Sequence, residues 1–233
     1  MKLSKRFSKG LPGLSVLLLI GFLMTGCLPE YYNGQMYSLP SPVLNSPSNG
    51  EITYLGGSID FGDGTNSDEN SFQGKLYVEH GYTGDFFSVA GRGEMYQGFY
   101  NVEAIEEMEG ESLKYYGFSP QLNASLFFPV KNIRFGIYAL AGPYWEYGEY
   151  IDWLEEADEE GLISYMRNDG ETQFVYSGGL LLEHVVSVDK IVSFKFGANS
   201  PVVGHIITQY RTGRNVFKLG IGRSFSASYG IVW

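Results

Sequence analysis

The sequence predicts an all-β chain that closes into an antiparallel up-and-down barrel, and three observations lead to this prediction. Over the last stretch, 215–233, nearly every second residue is large and apolar, while the residues between them are mostly glycine and serine. Comparable alternating segments recur from Tyr54 onward, separated by short and long connections in turn. Glycine, tyrosine and phenylalanine are abundant, with 31, 18 and 16 copies. Period-two alternation indicates β-strands, and a crowded polar face suits the inside of a narrow barrel whose bulky face meets lipid.

Length, charge and cysteine content narrow the possible classes of protein. A chain of 233 residues suits one folded domain. The formal net charge is −10, and nucleic-acid binding requires basic patches, so nucleic acid is not expected as a partner. The single cysteine excludes a disulfide framework.

Residues 1–26 have the features of a secretory signal peptide. Four basic residues lie among the first nine, and an apolar run follows at 14–23 that is too short for a mature membrane helix. The run ends in Leu-Met-Thr-Gly-Cys at 23–27, which resembles the lipobox of bacterial lipoproteins, with Met24 where leucine is usual. The resemblance implies cleavage after Gly26 and fatty acylation of Cys27, with palmitate among the acyl groups. An ordinary signal peptide followed by a chance cysteine is the alternative.

The stretch 27–53 predicts a lipidated, extended tether. It contains four prolines with Asn, Ser and Gly between them, so no apolar period survives. Its tyrosines could cover the periplasmic mouth of the barrel, and a disordered spacer is the alternative. In this arrangement the anchor at Cys27 would sit in the inner leaflet of the outer membrane.

The barrel itself is predicted over 54–233, with eight strands. The expected strands are 54–61, 72–80, 86–100, 113–128, 133–147, 172–186, 191–210 and 215–233. Short turns at 81–85, 129–132 and 187–190 alternate with longer loops, including an acidic connection at 148–171 and a hairpin loop at 211–215. An even strand number with short turns at one end is typical of bacterial outer-membrane barrels.

The alternation over 54–233 and the terminal Trp233 resemble small eight-stranded barrels of the OmpA and OmpX kind. The resemblance implies a bacterial outer-membrane location, and it implies that Trp233 is read by the barrel insertion machinery. Arg223 interrupts the apolar face ten residues before Trp233. That spacing corresponds to about 24 Å along the membrane normal, which predicts that Arg223 lies at the outer interface beside lipopolysaccharide phosphates.

The inward face of the predicted barrel carries a set of charged residues. They are Lys75, Glu79, Arg92, Glu94, Arg134, Glu183, Lys195 and Lys218. The interior of an eight-stranded barrel is only wide enough for side chains, and isolated ions are costly at low dielectric. We therefore expect a structural network of ion pairs, with a small-ion path as the alternative.

No catalytic, metal or cofactor site is predicted. The three histidines, His80, His184 and His205, have no metal-ligand spacing. Some outer-membrane barrels modify lipid A with a histidine and a serine on one outer face, and the nearest approach here, His205 with Thr208, places the two on opposite faces.

The predicted function is non-enzymatic: a structural or docking role for an outer-membrane barrel lipoprotein, exerted through acidic extracellular loops that meet lipid and lipopolysaccharide. A soluble, lipid-anchored, ligand-binding barrel of the lipocalin kind is one alternative, and a lipid A-modifying enzyme is another. The lipocalin alternative requires Phe225, Tyr229 and Trp233 to point into a packed interior.

Overall fold

The barrel is closed and antiparallel, as the sequence predicts, but it has ten strands. The structure is a computed structural model that describes residues 30–37, 45–64, 69–103, 110–165, 173–199, 203–222 and 224–233. Each barrel strand pairs with its chain neighbours, and the last pairs with the first. Two short strands, β1 (Glu30–Tyr31) and β7 (Ser164–Tyr165), pair with each other outside the barrel. The barrel strands are β2 (Gly50–Asp63), β3 (Asn70–Thr83), β4 (Phe87–Val102), β5 (Glu111–Val130), β6 (Ile133–Tyr147), β8 (Gln173–Ser187), β9 (Lys190–Asn199), β10 (Val203–Thr212), β11 (Asn215–Ile221) and β12 (Ser224–Val232).

The prediction of eight strands was wrong because two predicted strands are hairpins. The segment 191–210 divides into β9 and β10, which pair up to Asn199 and Val203. The last stretch divides into β11 and β12, which pair up to Ile221 and Phe225. In each hairpin, three residues lie between the two residues of this last pair. Cross-strand partners share a face of the sheet, so a connection of odd length leaves the alternation in phase and the hairpin resembles one long strand.

The two ends of the barrel differ in their connections. One end, which we call the turn end, carries the tight reversals at 84–86, 131–132, 188–189 and 213–214, together with Gly50 and the C-terminal Trp233. The opposite end, the loop end, carries the connections at 64–69, 103–110, 148–172, 200–202 and 222–223. The hairpin at 211–215 was predicted at the loop end. It belongs to the turn end, because the extra reversal before β10 inverts the direction of the chain.

The outer surface of the barrel is apolar. Phe225, Tyr229 and Trp233 are 47%, 47% and 62% exposed, which is opposite to the lipocalin arrangement. Phe61, Phe72 and Phe99 stand side by side near the loop end, with ring centroids 5.0 and 5.2 Å apart. Such aromatic rows mark the interfaces of membrane barrels.

The height of the apolar band matches a membrane. On β5 the outward residues from Phe128 to Phe118 are apolar, the outward Tyr116 follows, and Lys114 and Ser112 lie beyond it. Ten residues at about 3.3 Å each and a tilt of about 45° correspond to roughly 24 Å, against a band of about 25 Å in outer-membrane barrels.

A helix covers part of the loop end. Helix α1 (Glu149–Glu159) includes most of the acidic run that the sequence predicted as loop, and the two-residue strand β7 (Ser164–Tyr165) follows it. The helix buries Tyr150, Ile151, Leu154 and Ala157. These pack in a cluster with Tyr31, Tyr96, Tyr100, Val102, Leu113, Tyr115 and Ile163.

None of the helices in the described ranges is long and apolar enough to cross a membrane.

The N-terminal segment, residues 30–37 and 45–49, lies against the barrel interior. Strand β1 (Glu30–Tyr31) pairs in parallel with β7, and a 3₁₀ turn follows at Gly34–Tyr37. Asn33, Gln35, Met36, Asn45 and Ser46 are buried. The sequence predicted an extended tether here; the described part of it is instead folded against the lumen.

Candidate functional site

Four of the predicted lumen residues, together with Asp60, form a buried ion network. The Lys75 ammonium lies 3.1 Å from an Asp60 carboxylate oxygen and 4.0 Å from Glu94. The Arg92 guanidinium lies 2.8 Å from Glu94 and 3.7 Å from Glu79. All of these side chains are at most 2% exposed, so the two cations are held between three carboxylates and away from bulk water.

The other cations of the lumen contact a carboxylate or aromatic rings. Arg134 lies 3.6 Å from Glu183 near the turn end. Arg92 also stacks over the Tyr77 ring at 3.5 Å, and Lys218 lies 4.9 Å from the centre of the Tyr54 ring. Aromatic faces stabilise cations electrostatically, and more strongly where water is excluded. The ring contacts therefore supplement the ion pairs.

The two signs of charge nearly balance in the described interior. The buried cationic side chains are Lys75, Arg92, Arg134, Lys195 and Lys218, and the buried carboxylates are Asp60, Glu69, Glu79, Glu94, Glu146 and Glu183. Asp60 and Glu146 were absent from the predicted charge set, although the alternation of their strands places both inward. Glu69 lies in a loop, where no periodic pattern could have placed it.

The N-terminal segment is held by this network near the loop end. The Glu146 carboxylate accepts hydrogen bonds from the backbone N–H groups of Gly34, at 2.6 Å, and Gln35, at 2.9 Å. The Gln35 side chain donates to Glu94 at 3.0 Å and accepts from Gln73 at 3.0 Å. Carboxylates bonded to backbone N–H groups form strong, charge-assisted contacts, so these bonds fix the position of residues 34 and 35.

Close packing fixes the same segment. A Cβ atom added at Gly34 would lie 2.3 Å from the Tyr115 ring, so only glycine fits without a shift. Tyr150 donates a hydrogen bond to the Tyr32 carbonyl at 3.0 Å, and Tyr165 donates to the Asn33 side chain at 3.0 Å. The helix α1 and strand β7 are thereby tied to the segment.

The turn end of the lumen holds the other part of the segment. Asn45 donates to Glu183 at 2.9 Å. The Arg134 guanidinium donates to the carbonyl oxygens of Ser46, at 2.7 Å, and Pro47, at 2.9 Å. At this end, Glu183 and Arg134 of the predicted lumen charge set therefore bind the N-terminal segment, as Glu94 does near the loop end.

The solvent-facing side of α1 is acidic. Its exposed carboxylates, with the one that follows the helix, are Glu149, Asp152, Glu155, Glu156, Asp158, Glu159 and Glu160. The helix contains no basic residue. A cleft of about 440 Å³ lies between α1 and the rim of the barrel, and Glu146, Asp152 and Glu155 contribute to its lining. This face is a region of negative potential at the loop end.

The histidines do not come together. His205 faces the lumen, where its Nε2 lies 2.6 Å from the Tyr138 hydroxyl oxygen. His80 contacts Thr53, and His184 contacts Asn132, both at the turn end. Within the described ranges, no group of three or more His, Cys, Asp and Glu side chains is arranged to hold a metal ion.

Of the remaining predicted positions, only Trp233 belongs to the described part of the chain. Trp233 lies at the turn end, where its backbone N–H and C=O groups form hydrogen bonds with the backbone of Thr53. Cys27 and Arg223 lie outside the described residues. Gly222 and Ser224, which flank Arg223, lie at the loop end.

A closed antiparallel barrel with an apolar exterior and a polar lumen is the outer-membrane β-barrel fold. No protein-family model matches the chain, and no curated protein sequence matches it.

Solved structures of small outer-membrane barrels are similar at the level of architecture. Neisserial surface protein A is 10% identical over 79% of this chain and 98% of its own, with a TM-score of 0.39. OprG from Pseudomonas aeruginosa is 7% identical over 81% and 99%, with a TM-score of 0.40. Ail from Yersinia pestis is 12% identical over 80% and 100%, with a TM-score of 0.33. The fold assignment rests on this chain's own strand pairing.

Proposed function

We propose that this protein is a lipid-anchored barrel of the bacterial outer membrane with a non-enzymatic role, in which a filled scaffold presents an acidic docking surface. The observation that supports this most is the content of the lumen. Ion-paired side chains and the N-terminal segment occupy the interior, while the large apolar side chains face outward.

The ends and the outer surface of the barrel support this placement in the membrane. Bacterial outer-membrane barrels keep short turns in the periplasm and longer loops outside. The turn end is therefore assigned to the periplasm, and the loop end with α1 to the cell surface. Trp233 lies at the turn end, where the insertion machinery would meet it.

The filled lumen favours a scaffold over a lipid A-modifying enzyme. Such an enzyme needs its histidine on the outer wall, in contact with lipid. His205, the nearest sequence candidate, is 4% exposed and contacts Tyr138 inside the barrel. In the described structure, the His205 side chain therefore does not reach the lipid-facing surface of the barrel.

The docking surface is the acidic face of α1. Its apolar side is buried in the aromatic cluster, so the helix has a fixed orientation and its carboxylates project into solvent. A dense negative face attracts positively charged partners and steers their approach. Divalent cations could also bridge these carboxylates to lipopolysaccharide phosphates, because Ca²⁺ and Mg²⁺ prefer oxygen ligands.

The membrane assignment is tested by fractionation and gel migration. The protein should sediment with outer membranes and migrate differently on a denaturing gel before and after heating. Labelled palmitate should be incorporated by the native chain and not by Cys27→Ser. A protein recovered in the soluble fraction, with migration that heating does not change, would exclude the assignment.

The docking role is tested with a basic peptide and the purified protein in nanodiscs. Neutralising α1 through Asp152→Asn, Glu155→Gln, Glu156→Gln and Glu159→Gln should weaken binding several-fold and reduce its salt dependence. The control neutralises two exposed turn-end residues, Glu51→Gln and Asp189→Asn, and should bind as the native protein does. Equal loss in both variants would exclude α1 as the docking surface.

The filled lumen also predicts the electrical behaviour. In a planar bilayer the native protein should show no steady conductance, because side chains and residues 30–37 occupy the interior. A steady conductance would favour the small-ion path instead.

A further inference from the structure

We infer that the N-terminal segment leaves the barrel at the loop end, so that the residues before Glu30, and a lipid group on Cys27, lie at the outer leaflet. The inference rests on the proposed function for the direction of the barrel in the membrane. It differs from the sequence-based expectation, which placed the anchor in the inner leaflet. The partner surface is accordingly the outer leaflet beside the loop end.

The first evidence is the position of Glu30 and Tyr31. Their strand pairs with β7, with Glu30 opposite Ser164 and Tyr31 opposite Tyr165, in the long connection of the loop end. The Tyr31 ring packs edge-on against Trp153 of α1, with centroids 5.3 Å apart. Tyr31 is fully buried, so this end of the segment is part of the loop-end core.

The second evidence is the position of residues 45–49. Asn45 and Ser46 contact Glu183, Arg134 and Thr83, which lie near the turn end of their strands. Asn49 contacts Asp85 in the turn between β3 and β4. Strand β2 then begins at Gly50. The chain therefore runs from the loop end at Glu30 to the turn end at Gly50 before the barrel starts.

The third evidence is that both described parts of the segment contact lumen side chains. Gln35 is bonded to Glu94, Gln73 and Glu146, and Met36 packs with Leu140, Tyr144 and Val175. Every one of these partners is an inward-facing residue of a barrel strand. The segment is thus enclosed by the barrel and is not laid along its outside.

Chain length then decides which leaflet Cys27 reaches. Cys27 lies three residues before Glu30, and three residues span at most about 11 Å when fully extended. The apolar band of an outer-membrane barrel is about 25 Å tall. A lipid group on Cys27 cannot return to the inner leaflet from the loop end. The same face would then carry both the anchor and the acidic side of α1.

The test uses three full-length chains, each with one short epitope, expressed in Gram-negative cells. The first epitope stands between Leu28 and Pro29, the second between Glu160 and Gly161 after α1, and the third between Val188 and Asp189 in a turn-end reversal. Antibody labelling is compared between intact and permeabilised cells. We expect the first two epitopes to be labelled on intact cells and the third only after permeabilisation.

The outcomes separate this inference from the proposed function. If the epitope at 28–29 is labelled only after permeabilisation, while the epitope after α1 is labelled on intact cells, the N-terminal segment does not leave at the loop end. The membrane-barrel assignment would then still stand. A different result would overturn the membrane assignment and the inference together: the α1 and turn epitopes are labelled equally, and heating does not change the migration of the protein on the gel.

Discussion

The two sides of the barrel differ in height. The strands β3, β4, β5 and β6 have 14, 16, 20 and 15 residues, and we call them the tall wall. The strands β9, β10, β11 and β12 have 10, 10, 7 and 9 residues, and we call them the low wall. A membrane-spanning strand needs about 9–11 residues. The low wall is therefore close to the height of the membrane, and the tall wall extends beyond it.

The extra height coincides with the features that suggest a function. The aromatic cluster uses Tyr96, Tyr100, Leu113 and Tyr115 of the tall wall, and α1 follows its last strand, β6. Glu94 and Glu146, which hold the N-terminal segment, are also on the tall wall. The low wall completes the closed barrel, and it contributes Lys195 and Lys218 to the lumen. Loss of a residue should therefore have different consequences on the two sides.

The largest effect is expected from Arg92→Met on the tall wall. The change leaves Glu79 and Glu94 with one fewer cation in a buried site, and breaking such a pair costs about 3–5 kcal/mol. The free energy of unfolding in urea, measured in lipid vesicles, should fall by that amount. Arg214→Met, in an exposed turn of the low wall, is the control and should change it by less than about 0.5 kcal/mol. Similar losses in both variants would contradict the buried network.

A positively charged residue placed at two heights of β5 measures the extension of the tall wall. Leu122→Arg lies near the middle of the apolar band and should cost about 2–4 kcal/mol of unfolding free energy. Ser112→Arg lies on the same outward face, ten residues toward the loop end, and should cost about 0–1 kcal/mol. Equal costs would mean that residue 112 is also in the membrane.

A smaller effect is expected from filling the space at Gly34. A valine there would overlap the Tyr115 ring, and overpacking typically costs about 1–3 kcal/mol. Gly34→Val should also reduce labelling of an epitope at 28–29 on intact cells, because the segment is displaced. Gly91→Val is the matched control, since a Cβ there meets nothing within 4 Å. Unchanged stability and labelling in Gly34→Val would contradict the described packing.

The smallest effect is expected on the low wall, from deletion of Gly222. The deletion turns the three-residue connection between Ile221 and Phe225 into a two-residue hairpin, a length that antiparallel strands accept readily. Heat-modifiable barrel should still form, with a cost of about 1 kcal/mol or less.

Deletion of Gly220 is the control for that change. Gly220 lies within β11, so its loss moves one part of the strand to the wrong face. Barrel formation should fail in this variant. If deletion of Gly222 abolished the barrel as well, a single continuous strand over 215–233 would be the better description.

The tall wall was the easier part to predict. Its strands are separated by connections rich in polar residues, and the alternation placed Arg92 and Glu94 on the inward face, where both are buried. On the low wall the faces were also right, but the strand count was wrong. A three-residue turn cannot be detected from the alternation, because odd-numbered and even-numbered residues stay on the same faces before and after the turn.

The position of the N-terminal segment could not be predicted from its composition. Prolines, asparagines and serines at 29–49 indicate an extended chain, and an extended chain satisfies its backbone equally well in water or against buried carboxylates. Only the fold brings Glu146 and Arg134 to positions where they bind backbone groups of residues 34, 35, 46 and 47. One signal was present: the alternation of 133–147 places Glu146 on the inward face, where a buried carboxylate requires a partner.

The pairing of β12 with β2 has a consequence for assembly. These strands are the last and first of the barrel, and they are joined by nine residue pairs from Ser224 with Gly62 to Val232 with Tyr54. Residues 30–37 and 45–49 precede β2 and are enclosed, so they either lie inside the sheet before this seam forms or thread in lengthwise afterwards. Once it has formed, the segment can leave only if the seam opens or if the segment slides out lengthwise past Glu146 and Arg134. Both routes break the hydrogen bonds that Glu146 and Arg134 make with the segment, so its release is governed by a rate and not by the stability of the barrel alone.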